Sequence, residues 1–141
     1  MILEKMPPGP WDSEPGEAAW VDTVTDFPCY IQRSGGGALC GYVCLPAGHP
    51  WHGESYNSIY ELYPVDVHGG LTFSVQRGDY WVIGFDCSHS GDCVPCYSWT
   101  LANGTYRDMA YVKAQVTALA RQAFDAWPIL ERLALAGEQK P

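Results

Sequence analysis

The stretch Gly84-Phe85-Asp86-Cys87-Ser88-His89-Ser90-Gly91-Asp92 sets a carboxylate, a thiol, an imidazole and a second carboxylate close together after the apolar run Trp81–Phe85. Such groups emerge together from the end of a core strand. Together with His68, the side chains of Asp86, His89 and Asp92 form a donor set suited to a divalent ion that activates water. The same groups suit a polar ligand held by hydrogen bonds. A third reading has them brace a loop, with Asp86 accepting backbone N–H bonds and His89 satisfying a buried carbonyl. Binding without chemistry is the leading reading: His68, Gly69, Gly70, Asp86, His89 and Asp92 are expected to line a ligand site, and no catalytic residue is assigned. Cys87, His89, Cys93 and Cys96 form the pattern Cys-x-His-x3-Cys-x2-Cys, with the short Cys-x2-Cys spacing of a zinc knuckle. The distant second pair that completes such sites would have to come from Cys40 and Cys44. No cofactor is therefore assigned, and zinc or another divalent metal stands as the alternative. The loop His49–Asn57 adds His52 and Tyr56, an imidazole and a phenol suited to stacking on a ring and bonding its edge. The competing reading makes that loop a cap on the core.

These residues need elements to hold them. Leu71–Val75 alternates apolar and polar positions, and Trp81, Ile83 and Phe85 share one face of a second run. Pairing Val75 with Trp81, Phe73 with Ile83 and Leu71 with Phe85 puts six large side chains on one buried face. That register makes His68 and Asp86 diagonal neighbours on the other face. Gly69 and Gly70 then leave open space beside them. Pro28–Arg33 and Ala38–Leu45, joined by Ser34-Gly35-Gly36-Gly37, form another hairpin. Residues 49–63 form either a loop or a short helix. Met109, Val112, Val116, Leu119 and Ala123 follow the spacing of one helix stripe, with a Thr105–Asp108 capping box ahead of it. Pro128 should break this helix, leaving a short segment from Ile129 to Ala136. The expected fold is α+β: a mostly antiparallel sheet of about four strands with a long C-terminal helix on one face. One domain spans 1–141, with an irregular proline-rich arm over 1–17, sheet and loops over 18–105, and a helical segment over 106–136.

The charge is unevenly spread. The formal net charge is −8, yet between Met6 and Tyr106 two bases, Arg33 and Arg77, face eleven acids. Asp12, Glu14, Glu17, Asp22 and Asp26 form the densest acidic run. It reads either as a solvated face or as a surface that docks onto a basic partner protein. An acidic body disfavours direct nucleic-acid binding, which rests on phosphate neutralisation. No apolar run is long enough for a membrane helix and the N-terminus lacks a signal-peptide pattern, so a cytoplasmic protein with free thiols is expected. Self-association is a further expectation, because 19 aromatic rings in 141 residues need cover.

The strings His68-Gly69-Gly70-Leu71-Thr72-Phe73 and Gly84-Phe85-Asp86-Cys87-Ser88-His89-Ser90-Gly91-Asp92, with Gly41-Tyr42-Val43, Gly48-His49-Pro50 and Tyr106-Arg107-Asp108, resemble a family of small uncharacterised proteins common in bacteriophages and prophages. The likeness covers roughly residues 26 to 122. The chain departs from that family in its short link from Gln76 to Tyr80 and in Cys40, Cys44, Cys93 and Cys96. The resemblance implies a phage or mobile-element origin, with the protein working in the cytoplasm of an infected or lysogenic bacterial host. Size, charge and implied origin lead to the expectation of an accessory protein that acts by binding. Its target would be a host protein of antiviral defence or a small-molecule ligand such as a nucleotide signal. A small metal-dependent hydrolase and a virion-associated structural protein are the alternatives.

Overall fold

A computed structural model describes residues 5–128 and Glu131. Strands β1 (Glu17–Val21), β2 (Pro28–Arg33), β3 (Leu39–Leu45), β4 (Phe73–Arg77) and β5 (Tyr80–Asp86) form one antiparallel sheet in the order β1-β2-β3-β5-β4. Helix α1 covers Tyr56–Leu62 and helix α2 Met109–Asp125. The architecture is the expected α+β arrangement, with five strands where about four were anticipated. The additional one is β1, whose two alanines mute its apolar signal. Residues 49–63, read from sequence as loop or helix, contain α1, and Ser55 caps it by accepting from Ser58 N–H.

α2 starts where two carboxylates meet its free N–H groups. Asp108 accepts from Tyr111 N–H at 2.8 Å, and Glu14 from the N-terminal arm accepts from Met109 N–H at 2.7 Å. Both also favour the positive end of the helix dipole. The expected Thr105–Asp108 box is thus replaced by Asp108 as the cap itself. Val112, Val116, Leu119, Ala120 and Ala123 are buried along one stripe that packs on β3 and β2. Each valine or leucine buried there contributes roughly 1.5–3 kcal/mol. Beyond α2, Trp127 packs on Phe27 and His49. The helical segment expected from Ile129 to Ala136 lies outside the described residues, Glu131 apart.

The β4–β5 register corrects the expected one by a single residue. Val75 faces Val82, Ser74 faces Ile83 and Arg77 faces Tyr80, so only Gly78 and Asp79 make the turn. A two-residue hairpin loop is the tightest and most favoured connection. It overrides the alignment that would have put every large side chain on one face. Leu71 is buried, but on the loop before β4 rather than within it.

The shift divides the apolar residues between two faces. One face carries Cys29, Ile31, Val43, Leu45, Ile83 and Phe85 into the main core, with the α2 stripe and with Trp51, Ile59, Val65, Val67 and Leu71 from the loops. On the other face, the pairing aligns Ala19, Tyr30, Tyr42, Gly84 and Phe73 in one row across all five strands. Tyr30 stacks on Tyr42 with ring centroids 4.5 Å apart, and Tyr42 meets Phe73 edge-on at 5.2 Å. Val75, Val82 and Cys44 lie beside that row. None of these residues joins the main core cluster and no described helix packs on this face, yet Val82 and Cys44 are buried at 1% and 8% exposure and Tyr30, Tyr42, Phe73 and Val75 are half-buried.

Candidate functional site

β5 delivers Asp86 at its end, and Cys87 N–H bonds Leu39 O to hold the chain as it leaves the sheet. The loop that follows returns to the start of α2 and is tied across its base by an Asp92–Thr105 bridge. Asp92 is the hub. Its side chain is 1% exposed, and both oxygens lie 2.9–3.0 Å from His68 Nε2. Arg107 Nε–H donates to Oδ1 at 3.0 Å and His89 N–H to Oδ2 at 3.0 Å. Burial works against the charge on Asp92, but these donors outweigh it and hold the carboxyl below its usual range. In return, Asp92 holds Arg107 firmly charged.

His68 bridges onward. With Nε2–H donating to Asp92, Nδ1 accepts from the Tyr111 hydroxyl at 2.8 Å, and His68 N–H bonds Gln115 Oε1 at 2.9 Å. The Arg107 guanidinium lies 5.1 Å from the centre of the Tyr111 ring. Phenol, imidazole and carboxylate thus form a chain that resembles a proton relay. Both Asp92 oxygens and His68 Nδ1 are nevertheless filled by the protein itself, and the chain joins three separate segments. Its chemistry is to lock the loops at 68–70 and 87–105 to α2.

Asp86 forms a second, smaller node. It accepts from Thr72 Oγ1–H at 2.9 Å and from Ser88 N–H at 3.0 Å. His89 Nε2 lies 3.2 Å from Asp86 Oδ1 yet is buried without an aligned hydrogen bond. The ring rests on Gly69, where φ is +67° and a Cβ would collide with the imidazole. The space expected beside Gly69 is therefore occupied by His89. Gly70 sits under Tyr60, whose hydroxyl accepts from Leu71 N–H at 2.9 Å.

The structure brings together His68, Gly69, Asp86, His89 and Asp92, with Gly70 adjoining. The pairing differs from the expected diagonal: His68 bonds Asp92, while Asp86 bonds Thr72 and Ser88. His52 and Tyr56 lie elsewhere. His52 Nε2 is 3.4 Å from Asp79 O, and Tyr56 N–H bonds Ser74 Oγ at 3.0 Å. Asp79 lies in the hairpin turn, about 23 Å of strand from Asp86, and Ser74 pairs with Ile83, about 10 Å from it. The loop holding them is a core cap. His49 is buried, with Nε2–H donating to Ala123 O at 2.7 Å and Nδ1 accepting from Trp51 N–H at 3.0 Å. Burial lowers its pKa to about 4.

Among the described residues, no three His, Cys, Asp or Glu side chains are arranged to hold a metal ion. This applies to the set His68, Asp86, His89 and Asp92 and to the set Cys87, His89, Cys93 and Cys96. All six cysteines are free thiols, and burial pushes the Cys87 thiol well up. The acidic run is also divided. Glu14 serves the fold through Met109, Tyr106 and Arg33, and Asp22 is buried against Thr25 and faces Arg121 at 3.6 Å. Asp12, Glu17 and Asp26 remain exposed.

Arg107, Tyr111 and Gln115 complete the hub and were not anticipated from sequence. Their signal is the spacing of four that puts Tyr111 and Gln115 on one helix face, beside the apolar stripe. On the outer side of the same loop, Ser88, Ser90, Asn103, Tyr97 and Trp99 line an open groove of about 510 Å³. Comparison with family models, with curated proteins and with solved structures finds no match, so the functional reading rests on these residues alone.

Proposed function

We propose that the protein acts by binding a partner protein through the open face of its sheet, as an accessory protein of phage type that inhibits a host defence factor. The observation that supports this reading is the row Ala19, Tyr30, Tyr42, Gly84 and Phe73, whose half-buried aromatic rings sit beside Val75 and over the buried Val82. Aromatic anchors in a flat apolar patch are the usual source of interface affinity. A shallow hollow of about 610 Å³ over β1 and β2, bordered by Glu17, Ala19, Tyr30 and Gln32, offers a seat for a partner's side chain.

Charge defines the partner. Of the two bases between Met6 and Tyr106, Arg33 is buried and bonded to Gly37 O and Tyr106, leaving Arg77 exposed. Glu17 and Asp86 stand at one rim of the aromatic row. A partner with an apolar patch edged by lysine or arginine matches this surface, and the acidic body steers it in. The Asp92 carboxylate, with both oxygens taken by His68, Arg107 and His89 N–H, has no position left for a substrate proton, which favours binding over catalysis.

The test is phage plating on bacterial strains that carry single defence systems and express this protein. The wild type should restore plating on at least one strain. Tyr30→Glu with Tyr42→Glu should abolish the effect while circular dichroism and Tm show a folded protein. Retained protection by the folded double variant would overturn the reading. Charge reversal at Asp12, Glu17 and Asp26 should slow association without abolishing binding.

A further inference from the structure

Trp99 is 73% exposed and Tyr97 38%, and their rings stack at 5.0 Å and 11°. A large aromatic ring held open to water, with no place in the core, calls for a reason. The pair is built from behind. A Cβ at Gly36 would meet the Tyr97 ring at 3.1 Å, so Tyr97 is seated against the β2–β3 turn and in turn supports Trp99. One indole face lies on Tyr97, and the other is free.

The loop beneath is stiff. Cys96 N–H bonds Gly36 O, Gly104 N–H bonds Thr100 O, and the Thr100 hydroxyl engages Val94 and Tyr97. The Asp92 hub closes its base. The groove of about 510 Å³ beside Trp99 falls in the size range of a small-ligand site. Besides His89 and the buried Asp92, which is spent on His68, Arg107 and the backbone, its lining is uncharged. Among the described residues, the side chains of Ser88, Ser90 and Asn103 have no hydrogen-bond partner, and all three border the groove.

A free aromatic face beside neutral hydroxyl and amide groups suits a ring with an apolar C–H face and a rim of hydroxyls. We propose that the loop 88–104 is a carbohydrate-binding groove in which Trp99, supported by Tyr97, stacks on a pyranose ring while Ser88, Ser90 and Asn103 bond its hydroxyls. The positive C–H edges of a sugar meet the negative face of the indole quadrupole. Phosphorylated ligands fit poorly, since no lysine or arginine lines the groove. This site is independent of the sheet face and does not rest on the reading given for it.

The full chain should be titrated with the methyl pyranosides of glucose, galactose, mannose and N-acetylglucosamine, and separately with adenosine, while the indole N–H of Trp99 is followed by NMR. At least one sugar should shift the Trp99 and Asn103 side-chain signals saturably. Trp99→Ala should weaken that sugar by about tenfold or more, a loss of about 1.4 kcal/mol, with Tm unchanged. Trp99→Phe should retain part of the affinity. A Trp99 signal that no sugar moves, or that adenosine alone moves, would overturn the proposal, as would sugar binding that survives Trp99→Ala.

Discussion

The two faces of one sheet put similar residue types to opposite uses. On the face under α2, Ile83 and Phe85 are at most 1% exposed and packed from above by Val112, Val116 and Leu119. On the other, Tyr30, Tyr42 and Phe73 touch mainly each other. Along β5, Ile83 and Phe85 thus pack under α2, whereas Val82 and Gly84 turn to the aromatic row, where Val82 is buried beneath it. The lesson is that apolar content alone does not locate a core. What decides is whether a second layer arrives, and only one amphipathic helix of α2's length is present among the described residues.

That contrast can be broken or sharpened in order of effect. Phe85→Ala, on the covered face, should cost about 3–5 kcal/mol, read as a fall in the urea midpoint with little change in m. A cost near zero would mean that α2 does not seal that face. Asp92→Ala should cost about 3 kcal/mol, because His68 and Arg107 lose a buried anion, and hydrogen exchange should rise at residues 68–70 and 87–93 first. Exchange that rises evenly across the sheet would show the hub to be global rather than local.

His49 supplies a pH test of the covered side. Its pKa falls from an ordinary 6.5 to about 4 in the folded state through burial. The unfolded chain therefore binds a proton first, so stability should decline as pH drops from about 6.5 to 4 and level off below, by up to about 3 kcal/mol. Asp92, held low, adds its own loss as pH falls below about 4. His49→Gln should flatten the first window and leave the second. The smallest effect belongs to the open face. Tyr42→Ala should lower stability by only about 1 kcal/mol while removing partner binding, measured by Tm and by the plating assay. A loss comparable to Phe85→Ala would show that this face is a second core.

Much of this was legible beforehand. The β2–β3 hairpin and the α2 stripe follow from period, while His68, His89 and Asp92 do meet, but through loop hydrogen bonds rather than through the strand register expected from sequence. The β4–β5 register did not follow from period, because alignment by apolar residues assumes one buried face, whereas a two-residue turn at Gly78-Asp79 sets the pairing locally. The hub partners Arg107 and Tyr111 come from the start of a helix whose rotation depends on packing against β3. Glu14 was read as surface charge, and only the fold shows it capping α2. Exposure of Trp99 likewise depends on where the loop 88–104 lies, which no periodicity encodes.

One glycine ties the open face to the cost of association. At Gly84, a Cβ would strike Tyr42 Cδ1 at 2.5 Å, so the Tyr42 ring lies flat on bare backbone between Tyr30 and Phe73. The ring's rotational freedom is already given up during folding, before any encounter. Side chains that are free beforehand lose about 0.5–1.5 kcal/mol each when an interface immobilises them. Gly84→Ala should lift the ring and, because its Cβ would also lie 2.8 Å from the Gly41 carbonyl, strain the β3–β5 pairing as well, so it should weaken association together with a fall in Tm.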